Sequence, residues 1–263
     1  MPTNKRERQR ENRAKKREEQ LKLERQKKLR KRSIQITVLV GVLAIALVLP
    51  TLFSSSEAPA TTTTVPSDYE GYRSQRTACG AEAPDPVTEM TFEAPEDQGI
   101  PADATVTATI TTSCGDIVVS LDPSAAPETV NSFVFLAREG YFDGSVFHRI
   151  APGFVIQGGD PTAIGNGGPG YLVADEFPEA GFTYGPGVLA MANSGANSTG
   201  SQFFIVTGDD TGLDPLYSVF GRAIGSEDTL DQITSVPLAN RGNEQSVRLE
   251  TVYIEKVEIS IGF

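Results

Sequence analysis

Phe147-His148-Arg149-Ile150-Ala151-Pro152-Gly153-Phe154-Val155-Ile156-Gln157-Gly158-Gly159-Asp160 is the stretch that decides the fold class. It reads as two short apolar runs, 146–150 and 154–157, separated by Pro152-Gly153 and stopped by two glycines, a strand pattern and not a helical one. Working outward, further short strands are predicted at 188–192, 202–207 and 218–222. Upstream, Thr105-Val106-Thr107-Ala108-Thr109-Ile110-Thr111 alternates with period two, and 117–121 follows after the turn Cys114-Gly115-Asp116, which makes a hairpin. Asp122-Pro123-Ser124 then opens a helix with Ala126, Val130, Phe133, Val134 and Ala137 at helical spacing, stopped by Gly140. A second short helix is predicted over 227–233. The end, 247–261, reads as one long alternating strand whose parity slips between Ile254 and Val257, the mark of a bulge. Many short strands with Gly/Pro turns and two helices imply a mainly β chain, a closed antiparallel barrel capped by helices.

Charge divides the chain. The first 32 of its 263 residues carry 15 Lys/Arg against 5 Asp/Glu, and the remaining 231 carry 8 against 29. An acidic body lacks the clustered cations that phosphate backbones require, so no nucleic-acid partner is expected. One histidine and two cysteines are too few for metal sites built on several imidazoles or four thiolates. Neither metal nor other cofactor is expected.

Residues 33–56 contain no charged side chain, and the 20 residues 34–53 match what a helix needs to cross ~30 Å of hydrocarbon. A cleaved signal peptide is the alternative, since Ala58-Pro59-Ala60 has the small-x-small form of a cleavage site. The long charged segment before the run and the length of the run favour an anchor. The basic flank should stay cytoplasmic, which puts the acidic body outside. The sequence therefore divides into a basic cytoplasmic tail (1–32), a transmembrane signal-anchor (33–53), a Thr/Pro-rich linker with an irregular segment (54–103) and a folded domain (104–263). The expected location is the cell membrane, single-pass, with the domain extracytoplasmic.

Generic catalytic motifs are missing: there is no G-x-S-x-G elbow and no Walker loop. Gly165-Asn166-Gly167-Gly168-Pro169-Gly170 matches a dinucleotide fingerprint by letter, but Pro169 and Pro178 forbid the helix that such a site needs. More specific are the opening stretch, Leu189-Ala190-Met191-Ala192-Asn193, Gly200-Ser201-Gln202-Phe203-Phe204-Ile205 and Tyr217-Ser218-Val219-Phe220-Gly221. Together they closely resemble the cyclophilin family of peptidyl-prolyl cis–trans isomerases, from about residue 104 to 261. The resemblance implies an eight-stranded antiparallel barrel with a helix at each end and a substrate groove on its outer face.

The chemistry fits that resemblance. Rotating an X–Pro bond breaks amide resonance against a barrier of ~18–20 kcal/mol. The twisted nitrogen recovers its lone pair, and a fixed guanidinium in a water-poor pocket can donate to it. Arg149 amid Phe147, Phe154, Met191, Phe204 and Leu213 meets that need. The resemblance makes Arg149 the catalytic residue and Phe154, Val155, Phe204 and Leu213 the proline pocket. It makes Gln157 and Gln202 the side chains that bond the substrate backbone and support Arg149. Ala192 and Asn193 match the stretch that binds residues before the proline, and Gly165 matches a glycine at the groove's rim. His148 is expected to be structural. The implied partners are proline-containing secreted or envelope proteins, met by a monomer.

Two positions depart from the family's pattern. Gly212 stands where a tryptophan is usual, and Tyr217 stands where a histidine is usual. Tyr217 can still close the pocket, but cyclosporin binding, which leans on the tryptophan, should be poor. The altered rim also raises a second reading, a groove that holds proline segments without useful turnover. Cys79 and Cys114 either form a bridge that staples the irregular segment to the first hairpin or remain two free thiols.

Overall fold

A computed structural model describes residues 68–209, 211–239 and 247–262. The basic tail, the apolar run and the Thr/Pro spacer up to residue 67 lie outside the described residues. Among the described residues no helix is long and apolar enough to cross a membrane.

The described chain is mainly β. Strands β2 (Thr105–Thr112) and β3 (Gly115–Leu121) form the expected hairpin, with Thr112 paired to Gly115 across the two-residue loop Ser113-Cys114. Period-two alternation buries Val106, Ala108 and Ile110 on one face of β2. Helix α2 (Pro127–Arg138) follows, with proline at its first turn, where no amide donor is missed. Asp122 does not open it directly. Its carboxylate closes a preceding turn, accepting from the amides of Ser124 and Ala125. The helix start is capped from afar by Glu176, which accepts from the amides of Glu128 and Thr129 at 3.0 and 2.8 Å.

Strands β4 (Arg149–Ala151), β5 (Val155–Gly158), β6 (Val188–Met191), β7 (Phe203–Val206) and β8 (Val219–Ala223) come next, then helix α3 (Glu227–Thr234). The run 247–261, expected as one long strand, does not form one. It divides into β10 (Val247–Arg248), antiparallel to β9 (Leu238–Ala239); β11 (Glu250–Thr251), parallel to β1 (Arg76–Thr77); and β12 (Ile254–Gly262). Alternation survives such a division because each piece keeps one buried face while changing partner. The bulge is where the parity slips, between Ile254 and Lys256.

Eight strands make one antiparallel sheet in the order β12-β2-β3-β8-β6-β7-β5-β4. The sheet curls into a half-barrel, and its end strands do not pair as a ladder. The seam is crossed by the bridge Val146–Tyr253 and by backbone bonds from Gly144 to Ile254, Ile254 to Ser145 and Phe147 to Val252. The concave face and α2 enclose an aromatic core in which Phe133 meets Phe142, Phe203 and Phe220 at 5.1–5.7 Å between centroids.

The segment expected to be irregular carries a short helix α1 (Tyr69–Arg73), capped by Asp68, and strand β1. Cys79 and Cys114 are bonded to each other, so the open question of bridge or thiols resolves as a bridge to the hairpin loop. The bridge spans 35 residues, a loop whose closure is worth about 3–4 kcal/mol. Cys79→Ser is expected to lower the unfolding free energy by about that amount in denaturant titration under non-reducing conditions.

Candidate active site

Register alone builds the site. Arg149 pairs with Gln157, Gln157 with Phe204, and Phe204 with Ala190, so these residues form a row across β4, β5, β7 and β6. Alternation then sends Val155, Phe204, Val206 and Ala190 to the convex face, while Ile156, Phe203, Ile205, Leu189 and Met191 enter the main core. On the convex face a second apolar cluster forms from Val155, Phe204 and Ala190 with Tyr184 and Val188. Phe154, Leu213 and Tyr217 pack on it half-buried. Phe147 and Met191, expected beside Arg149, instead belong to the inner core: Met191 sits at the opposite parity from Ala190, and Phe147 precedes β4 and turns its ring edge-on to Phe203 at 6.2 Å.

Arg149 is exposed, and its guanidinium carbon lies 5.3 Å from the centre of the Phe154 ring. That stacking orients a charged fork at the edge of the apolar cluster. Gln157 Nε2 donates to Gln202 Oε1 at 3.1 Å, and Gln202 Nε2 donates to the Gly167 carbonyl at 3.1 Å. The two glutamines are thus bonded to each other and to a loop, and Arg149 is held by its ladder position and the Phe154 ring. His148 is half-buried, and its carbonyl accepts from Tyr72 Oη at 2.9 Å.

Tyr217 closes one end of the cluster, its ring edge-on to Phe204 at 5.5 Å. Tyr184, which the sequence reading missed, fixes it: Tyr184 Oη donates to the Tyr217 carbonyl at 2.8 Å and accepts from the Tyr217 amide at 3.2 Å. Burial raises the Tyr184 phenol above its ordinary value, so it stays protonated as that donor requires. Asn193 Nδ2 donates to the Leu216 carbonyl at 2.8 Å, tying the strand end to the same loop.

Beyond the glutamines lies a cavity of about 580 Å³, lined by Gln157, Gln202, Ala192, Asn193 and the loop 165–172. Gly165 lines this cavity and is exposed. A fully buried carboxylate, also missed, organises this loop. Asp160 Oδ1 accepts from the Thr162 amide and hydroxyl, and Oδ2 from the Gly165 and Gly167 amides. Gly167 lies so close to Asp160 that a Cβ would collide with Oδ1. Burial pushes the Asp160 carboxyl up. The Thr162 hydroxyl and the amides of Gly167, Thr162 and Gly165 outweigh that and hold it below the ordinary 3.8.

Asp160→Asn keeps one acceptor oxygen and turns an NH2 group toward two donors, so it should cost about 1–3 kcal/mol. Because the folded value is depressed, the carboxylate's contribution is complete above the ordinary value and fades as pH falls through the folded one. The gap in thermal stability between wild type and Asp160→Asn should therefore be constant from pH 8 to about 4 and shrink below that.

Residues 107–259 match the model of the family described as cyclophilin type peptidyl-prolyl cis-trans isomerase/CLD. This chain belongs to the cyclophilin family. Peptidyl-prolyl cis-trans isomerase A of Mycobacterium tuberculosis is 42% identical over 173 residues, covering 60% of this chain and 93% of the relative. Peptidyl-prolyl cis-trans isomerase B of Streptomyces anulatus is 42% identical over 170 residues, covering 58% and 95%. Among solved structures, a cyclophilin-type isomerase of Cryptosporidium parvum is 31% identical with a TM-score of 0.54, covering 60% of this chain and 98% of its own. A crystal structure of that isomerase in the presence of the dipeptide Ala-Pro matches with a TM-score of 0.53. The cyclophilin is accordingly a peptidyl-prolyl cis–trans isomerase, and proline-containing polypeptides are its substrate class.

Proposed function

We propose that this cyclophilin is membrane-anchored and works outside the cytoplasm, isomerising X–Pro bonds in secreted and envelope polypeptides, with Arg149 stabilising the twisted amide. The observation that carries the mechanism is the Arg149 guanidinium stacked on Phe154 at the edge of the convex apolar cluster. The proline ring packs among Val155, Phe204 and Leu213, which keeps water from the amide. Residues before the proline run past Ala192 and Asn193 toward the cavity beside Gln157 and Gln202. As the bond twists, resonance is lost and the nitrogen lone pair becomes an acceptor. Arg149 donates an N–H to it from a fixed position, so the donor needs little rearrangement where charge develops. No bond to the protein forms and no proton is transferred, because the guanidinium remains charged throughout.

Two features support the location. The uncharged run 33–56 follows a strongly basic segment, and Cys79 is bonded to Cys114, a pairing that persists in oxidising compartments. The full chain should accelerate cis–trans relaxation of a proline peptide, and protease added outside intact cells should remove the folded domain. Relaxation at the uncatalysed rate contradicts the activity, and protection from protease contradicts the location.

A further inference from the structure

The segment between Cys79 and β2 lies outside the matched family region, yet it reaches the wall of the substrate groove. It is fixed at several points. The disulfide to Cys114 holds its start, and Arg73 Nη1 donates to the Pro84 carbonyl at 2.6 Å. Tyr69 Oη accepts from the Val87 amide and donates to the Gly144 carbonyl at the barrel seam. Farther on, the Gln98 amide donates to Asn131 Oδ1 at 2.7 Å and Arg138 bonds Gln98 Oε1 at 2.7 Å, which moors the segment on α2.

Between those moorings stands Phe92. Its ring meets Phe135 of α2 edge-on at 4.9 Å and Tyr141 at 6.4 Å. Its amide donates to the Pro169 carbonyl at 2.7 Å. Gly170, with φ +95°, comes so near that a Cβ there would lie 2.8 Å from the Phe92 carbonyl oxygen. Pro169 and Gly170 line the cavity beside Gln157 and Gln202. The loop that walls the groove is therefore held at Gly165 and Gly167 by Asp160 and at Pro169 and Gly170 by Phe92.

We infer that Phe92 is a positioning residue for substrate: by pinning Pro169-Gly170 it sets the wall against which the residues preceding the proline bind. This rests on the proposed reading that those residues run past Ala192-Asn193. The proline pocket and Arg149 lie on the other side of the glutamine pair, so they should not sense the change.

The test compares the full chain with Phe92→Ala and Phe92→Leu on three peptides: a blocked Ala-Pro unit, the same unit preceded by about four residues (~13 Å of extended chain), and the same unit followed by about four. Phe92→Ala should raise KM about fivefold for the peptide extended before the proline, a size ordinary for a residue acting through its neighbours, with kcat unchanged. The other two peptides should change by less than about twofold, and Phe92→Leu should recover most of the loss. An equal change for all three peptides, or lower thermal stability with unchanged KM, overturns the inference while leaving the isomerase reading intact. A wild-type chain that accelerates none of them overturns both.

Discussion

Arg149→Ala should lower kcat/KM for a proline peptide by about two to three powers of ten, the usual result of removing a preorganised donor from a developing charge. Almost all of the loss should fall in kcat. The apolar cluster of Val155, Phe204 and Leu213 that grips the proline is untouched, so ground-state binding survives. Thermal stability should barely move, because Arg149 is exposed and its stacking on Phe154 is worth about 0.5–1 kcal/mol at such a site. Arg149→Lys should also be severely slowed. A lysine keeps the charge but loses the planar fork and the ring stacking that fix the donor.

Cyclosporin should inhibit this cyclophilin weakly, by roughly two to three powers of ten relative to members that carry the rim tryptophan. Gly212 supplies neither an indole N–H, worth ~0.5–1.5 kcal/mol net, nor an aromatic surface worth up to a few kcal/mol more. Turnover should suffer less, since Tyr217 still closes the pocket against Phe204 and Arg149 is unaffected. The reverse substitution is limited by the backbone. A Cβ at Gly212 meets nothing within 4 Å, but φ is +59°, where a non-glycine residue costs about 1–3 kcal/mol. Gly212→Trp should thus recover about one power of ten and no more. Inhibition titrations on both proteins check this, and tight inhibition of the wild type would show that the rim position matters little.

Arg149, Gln157 and Phe204 could be named from the sequence because they lie in local strings that resemble the cyclophilin family; that they share one row follows only from the strand register. Alternation placed the hairpin, whereas the helix begins at Pro127, after the turn that Asp122 closes. What escaped depends on contacts that periodicity does not encode. Tyr184 sits in a Gly/Pro-rich loop, and only its bonds to Tyr217 reveal its place in the pocket. Asp160 closes the opening motif, but its role is to gather amides from residues up to seven positions on. The composition of residues 69–101, rich in Pro, Ala and Glu, correctly suggested little regular structure. It could not show a segment held by a disulfide and tertiary hydrogen bonds. Alternation along 247–261 was real, yet it could not say that three short pieces have three different partners.

The most direct test of the central claim is exchange NMR on one proline peptide, which reports both its affinity and its cis–trans rate on the protein. With Arg149→Ala in place of wild type, the account predicts affinity within a few-fold and an on-protein exchange rate reduced by about two to three powers of ten. An unchanged exchange rate, or a loss confined to affinity, would contradict it.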